Sequence, residues 1–321
     1  MEVLLAKENK PEEIEMRQAY GEALRDMMDQ NMPVMPMDAD LMRAIGLLPY
    51  RDQYPDNIVD CGIAEANMFG VAAGLSAEGF IPFPHTFGVF ASRRGCDQVF
   101  MSGAYAKQNV KVVGSDPGVL AGLNGGTHQA LEDVAIMRAI PGMTIIEPTD
   151  AVMTKELTYL AAKTYGMFYI RLFRSKAVKI YEEGTKFQIG KAVKVKDGTD
   201  VTVIAAGTEV AEAIKASEIM KEKGVSVRVY DMFTIKPLDK EAVLEAAEET
   251  GAIVTAENHN IIGGLGSAVA EVLAENYPVP LERVGVKDTF GEVGPADWLK
   301  ERFELKAEDI AKKIEKVLER K

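Results

Sequence analysis

VDCGIAEANMFGVAAGLSAEGFIPFPHTFGVFASRRGCDQV, residues 59–99, reads as strand, helix, strand and helix in succession. NIVDCG at 57–62 is a short strand that runs straight into IAEANMFGVAAGLSAEG. There Ile63, Asn67, Gly70, Val71 and Gly74 recur near helical spacing, and the small residues at 70, 72, 73 and 74 permit close approach, so a buried interface helix is expected. FIPFPHTF (80–87) follows as strand and loop, and RRGCDQVFMSGAY (93–105) as a helix.

The same alternation extends both ways. Upstream, Ile14, Tyr20, Leu24, Met27 and Met28 predict a helix over 11–28 opened by Glu12 and Glu13, and NMPVMPMDADL (31–41) a short strand cut by Pro33 and Pro36. Downstream come VKVVGSD (110–116, strand), a glycine-rich loop from Gly118 to Gly126, HQALEDVAIMRAI (128–140, helix), TIIEPTD (144–150) and MFYIRLF (167–173). Strands and helices at this pitch predict an α/β domain over 1–180, a doubly wound parallel sheet with its active loops beyond the carboxyl ends of the strands. Residues 181–199 are charged and poorly periodic, a linker passing into a hairpin-like entry. From 200 to 321 a second, smaller α/β domain repeats strand and helix and ends in an amphipathic helix from Leu305.

The chain has 321 residues, 47% hydrophobic and 27% charged, which excludes disordered and collagen-like classes. A formal net charge of -12 with no basic block argues against nucleic acid as a partner. Cys61 and Cys96 stand far apart, without a second Cys or His at metal spacing, so neither a disulfide framework nor a metal site is expected. The apolar run Val3–Ala6 is too short for a secretion signal and every other run falls below the roughly 20 residues of a membrane span, so no membrane partner and a cytoplasmic location are expected.

Several residues carry polar or aromatic chemistry at loop positions. Glu65 opens the helix after the 57–62 strand, either as a first-turn carboxylate favoured by the helix dipole or as a functional group in an apolar setting. Phe87 and Phe90, flanked by His85 and Arg93, read as core aromatics, and Asn124 and His128 lie at a flexible loop feeding a helix. GGLG at 263–266 lacks the spacing of a full phosphate-binding motif and reads as a structural turn, with His259 before it as a structural histidine. On this basis alone the chain is an α/β protein with a polar cleft.

The 59–99 stretch, followed by GGTHQALEDVAIMRAIPGMTIIEPTDAV, FYIRLFR and FTIKPLD in that order, closely resembles the pyrimidine-binding and C-terminal domains of transketolase, from MRQAYGEAL to the end of the chain. The resemblance implies a thiamin-diphosphate enzyme that moves a two-carbon ketol unit from a ketose to an aldose. It assigns Glu65 to N1′ of the aminopyrimidine, Phe87 and Phe90 to its ring, and Asp40 to the cofactor at the subunit interface, with Arg93 where a third aromatic is usual. His128 takes the place of a donor to the substrate oxyanion, and Arg17 and Arg174 that of the arginines gripping a sugar phosphate.

No GDG motif occurs in the chain, so the resemblance implies a separate N-terminal subunit that holds magnesium and the diphosphate, in an α2β2 assembly. Four positions depart from the pattern. Asn124 replaces an acidic residue, Asp116 a histidine, His85 a small or polar residue, and Arg43 lies near a usual serine. All four belong to the substrate side, which points to a modified or sulfonated sugar. The β subunit of a 2-oxoacid dehydrogenase, or a fragment of deoxyxylulose-phosphate synthase, shares the two-domain plan, but GTHQALED and RLFR argue against both; a non-catalytic partner subunit is disfavoured by Glu65, Phe87 and Phe90.

Overall fold

A computed structural model describes residues 2–321. Among the described residues twelve strands build two sheets. β1 (Val34–Asp38), β2 (Val59–Asp60), β3 (Ile81–Phe87), β4 (Lys111–Ser115), β5 (Thr144–Ile146) and β6 (Phe168–Leu172) are mutually parallel, in the spatial order β5-β6-β4-β3-β1-β2. β7 (Val193–Lys196), β8 (Val201–Ala205), β9 (Val227–Asp231), β11 (Ile253–Asn260) and β12 (Leu281–Val286) form the second sheet, in which only β7 runs antiparallel. β4, β6, β8 and β9 are buried along their whole length, as strands covered by helices on both faces must be.

The first sheet reverses its winding between β1 and β3, since the chain steps from β1 outward to β2 and then crosses back. The crevice at that reversal, beyond the carboxyl ends of β1 and β3, is where parallel sheets of this kind bind ligands. Asp40 follows β1, Glu65 opens the helix Glu65–Ala77 after β2, and Phe90 follows β3.

β10 (Thr234–Lys236), from FTIKPLD, leaves the second domain and pairs antiparallel with β5 at the edge of the first sheet. At the other end, Leu5 and Pro11 bridge to Tyr181 and Val178, so the N-terminal segment is extended and the first helix covers only Met16–Asp29. The helix expected over 128–140 is real only from Asp133 to Arg138. Before it, Ala130 is drawn into a bridge with Pro117, and its carbonyl accepts from Gly118 N and Arg171 Nη2, so those residues cannot wind into the helix. The segment 93–105 is likewise broken, into Cys96–Gln98 and a wider π turn Val99–Tyr105. Among the described residues no helix is long and apolar enough to cross a membrane.

Arg171 on β6 locks the junction of the domains. It is fully buried and donates to Asp133 Oδ2 (2.8 Å), Glu147 Oε1 (2.8 Å) and the carbonyl of Asn258 (2.8 Å). Burial pushes the Asp133 carboxyl up, but the Arg171 charge, His259 and the hydrogen bonds from Arg171 and Tyr169 together hold the group below the ordinary carboxylate range. Removing one member of such a buried pair leaves an uncompensated charge and costs roughly 3–5 kcal/mol.

Candidate active site

A continuous row of side-chain contacts crosses the crevice. It starts at Glu65, 5% exposed at the first turn of its helix, whose Oε1 accepts from Arg94 Nη1 at 2.9 Å. The Arg94 guanidinium lies over the Phe90 ring, 3.8 Å from its centroid. Phe90 meets His128 edge-on at 5.2 Å, and His128 meets Phe87 in the same way at 5.8 Å. Phe87 also carries Arg174, 5.1 Å from the ring centroid. Arg174 Nε donates to Asp116 Oδ1 at 2.6 Å and its Nη2 to Asp116 Oδ2. Finally Nη1 of Arg174 (3.3 Å) and Nη1 of Arg17 (2.9 Å) converge on one acceptor, the carbonyl of Ala44, next to the exposed Arg43.

The fold explains these placements. Phe87 ends β3 and Phe90 sits in the short helix Gly88–Arg93, so one turn sets both rings toward the loop after β4. Asp116 has φ +54°, a left-handed conformation that aspartate tolerates better than most residues, and this turn aims its carboxylate at β6 and Arg174. Asp60 Oδ1 accepts from Asp40 N (3.1 Å) and Gly62 N (3.0 Å), joining the loops that carry Asp40 and Glu65.

Two expected site residues lie elsewhere. His85 is fully buried, with Nδ1 on Asp38 Oδ2 (2.6 Å) and Nε2 on Ser115 Oγ (2.8 Å), which leaves no ring nitrogen for a sugar. It ties together the ends of β1, β3 and β4 beneath the crevice. Arg93 turns away to Glu132 (3.2 Å) and the Thr127 carbonyl (3.4 Å), and Arg94 covers Phe90 in its place. Asn124 and Asp40 are exposed at the rim.

The second domain steadies the loop after β4. Asn258 Nδ2 donates to the Pro117 carbonyl (3.0 Å) and its Oδ1 accepts from Val119 N (2.9 Å), while Gln129 Nε2 donates to the Glu292 carbonyl (2.9 Å). The GGLG turn is filled from within, because the Glu257 carboxylate accepts from Leu265 N (2.7 Å) and Gly266 N (2.8 Å) at the start of the helix Leu265–Asn276. Burial pushes the Glu257 carboxyl up to about 7.

Glu65 beside the Phe87–Phe90 shelf fits an aminopyrimidine. The guanidinium of Arg94, itself a flat N–H donor, already makes there the two contacts such a ring needs, a hydrogen bond to Glu65 and stacking on Phe90.

Two family models cover most of the chain. Residues 12–178 match the transketolase pyrimidine-binding domain and residues 190–310 the transketolase C-terminal domain. The chain is 51% identical to the 6-deoxy-6-sulfo-D-fructose transketolase subunit SqwH of Clostridium sp. (strain MSTE9), over 98% of each chain. It is 37% identical to one subunit of the apulose-4-phosphate transketolase of Phocaeicola vulgatus, over 93% of this chain and 96% of that one. A solved split-gene transketolase, described as an inactive β4 tetramer, superposes with a TM-score of 0.90 at 42% identity, covering 96% of this chain and 99% of its own. With both of its domains matched in order and the two subunits named above alike over nearly their whole length, this chain belongs to the transketolase family.

Proposed function

We propose that the chain is one of two kinds of subunit in a thiamin-diphosphate-dependent transketolase, and that it transfers a two-carbon ketol unit from a ketose with an anionic far end to an aldose. The observation that carries this is the row from Glu65 through Arg94 and the Phe90, His128 and Phe87 rings to Arg174 and Arg17, which sets a carboxylate at one end and two arginines at the other. Bound thiamin diphosphate supplies the carbon nucleophile for this chemistry. Glu65 holds N1′ of its aminopyrimidine by a hydrogen bond, and Phe87 and Phe90 fix the ring. His128 Nδ1 lies 3.0 Å from Thr127 Oγ1; with the hydroxyl donating, Nε2 keeps the proton and points a donor at the substrate oxygen, where charge develops. Arg17, Arg43 and Arg174 hold the far end of the ketose.

A separate subunit holds the diphosphate and magnesium, in an α2β2 assembly. The relatives named as subunits support this, as does the β4 neighbour described as inactive. The test mixes the purified chain with its partner subunit, thiamin diphosphate and magnesium, and follows ketol transfer over a panel of anionic ketoses. Transfer is expected only when both subunits are present. Transfer by the chain alone, or none from a well-formed complex on any ketose, would overturn the proposal.

A further inference from the structure

The anion corner is unusual in its charge. Arg174 is held on one edge by both oxygens of Asp116, and its remaining Nη1 faces the Ala44 carbonyl. Arg17 turns its Nε (2.7 Å) and Nη2 (2.7 Å) to Glu15 and its Nη1 to the same carbonyl. Two arginines are thus matched by two carboxylates. Arg43, the residue before Ala44, is exposed and makes no ion pair among the described residues.

The two carboxylates differ in freedom. Glu15 is 36% exposed on its side chain and can swing into water when a ligand arrives. Asp116 has only 5% of its side chain exposed, and its backbone N–H is bonded to the Leu172 carbonyl (3.1 Å), so its charge stays in place. An incoming anion therefore meets a fixed negative charge directly behind the arginine that should grip it.

We infer that Asp116 selects the charge of the substrate's far end, disfavouring a phosphate dianion and favouring a singly charged tetrahedral group, a sulfonate. The inference deepens the transferase reading and rests on it. Phosphate esters and sulfonates present three oxygens in nearly the same shape, so the site must separate them by charge. A phosphate ester, with a second pKa of about 6, is mostly a dianion at neutral pH, whereas an alkyl sulfonate keeps one charge. The second negative charge of the phosphate is repelled by the buried Asp116 carboxylate, where Coulomb terms are weakly screened, and the sulfonate carries no such second charge.

The experiment uses the reconstituted two-subunit complex and two ketoses that differ only at C6, fructose 6-phosphate and 6-deoxy-6-sulfofructose. For each, kcat/KM is measured by turnover and the dissociation constant by calorimetry. The native complex should favour the sulfonate. Asp116→Asn, which keeps the shape and tolerates the left-handed backbone, should move the ratio toward phosphate by about tenfold or more, chiefly through KM. Asp116→Gly, which also tolerates that backbone, should move it in the same direction. A native preference for phosphate, or variants that alter both ketoses equally, would overturn the inference. Binding of both ketoses without any transfer would overturn the transferase reading, and the selection would then be read from the ratio of dissociation constants. Failure of the native complex to bind either ketose would overturn both.

Discussion

Nη1 of Arg94 donates to Oε1 of Glu65 at 2.9 Å while its guanidinium lies 3.8 Å above the centre of the Phe90 ring, so a cation of this chain sits where the proposed cofactor ring belongs. The ring and the guanidinium cannot both occupy that space.

Arg94→Ala should therefore tighten thiamin diphosphate binding by roughly 3–10-fold, because the native protein must first break an ion pair worth about 1 kcal/mol at a side chain that is half exposed. Calorimetric titration of the two-subunit complex checks this. Weaker binding in the variant would show that Arg94 helps to hold the ring.

Glu65→Gln keeps the shape of the carboxylate but weakens its pull on N1′. Ketol transfer should fall at least about 100-fold while the subunits still associate. Gel filtration with a steady-state assay reads both properties, and near-native turnover would remove Glu65 from the mechanism.

His85→Ala should act through stability. It strands Asp38, a fully buried carboxylate left with only the Leu41 amide, and should cost about 2–4 kcal/mol in urea unfolding. A direct sugar contact would instead raise KM and leave the unfolding midpoint unchanged.

Glu209 offers a test of pH dependence. It is fully buried with Lys300 no nearer than 3.7 Å, and burial pushes its carboxyl up to about 7. Since the folded pKa lies above the unfolded one, the stability this group contributes is complete below pH ~4.5 and is lost as pH rises through 7. Glu209→Gln should gain on the native protein by about 2–3 kcal/mol between pH 5 and pH 8, followed by thermal unfolding. A constant difference across that range would refute the assignment.

What could be read from the sequence is what depends on neighbours along the chain. The strand and helix alternation, Glu65 at a helix start and the Phe87–Phe90 pair all follow from local spacing. Arg94 escapes such a reading by one step of helix rotation, because positions three and four after Phe90 both lie near its face and the choice between them depends on Glu65 and Glu132, which are distant in sequence. The burial of His85 depends on Asp38 and Ser115 from two other strands. The shortened helix at Asp133 and the filling of the GGLG turn by Glu257 likewise reflect long-range hydrogen bonds that override local propensity.

β10 has a mechanical consequence. A strand of one domain hydrogen-bonded into the sheet of the other works as a stitch, and Arg171 and Asn258 fasten the seam a second time next to the loop that bears His128. Hinge opening between the two domains would tear a sheet edge, so access to the crevice for the proposed ketose has to come from small loop movements or from the mating surface of another subunit. The C-terminal half then serves as a splint for the other half's chemistry, and substitutions there would reach the reaction without touching it.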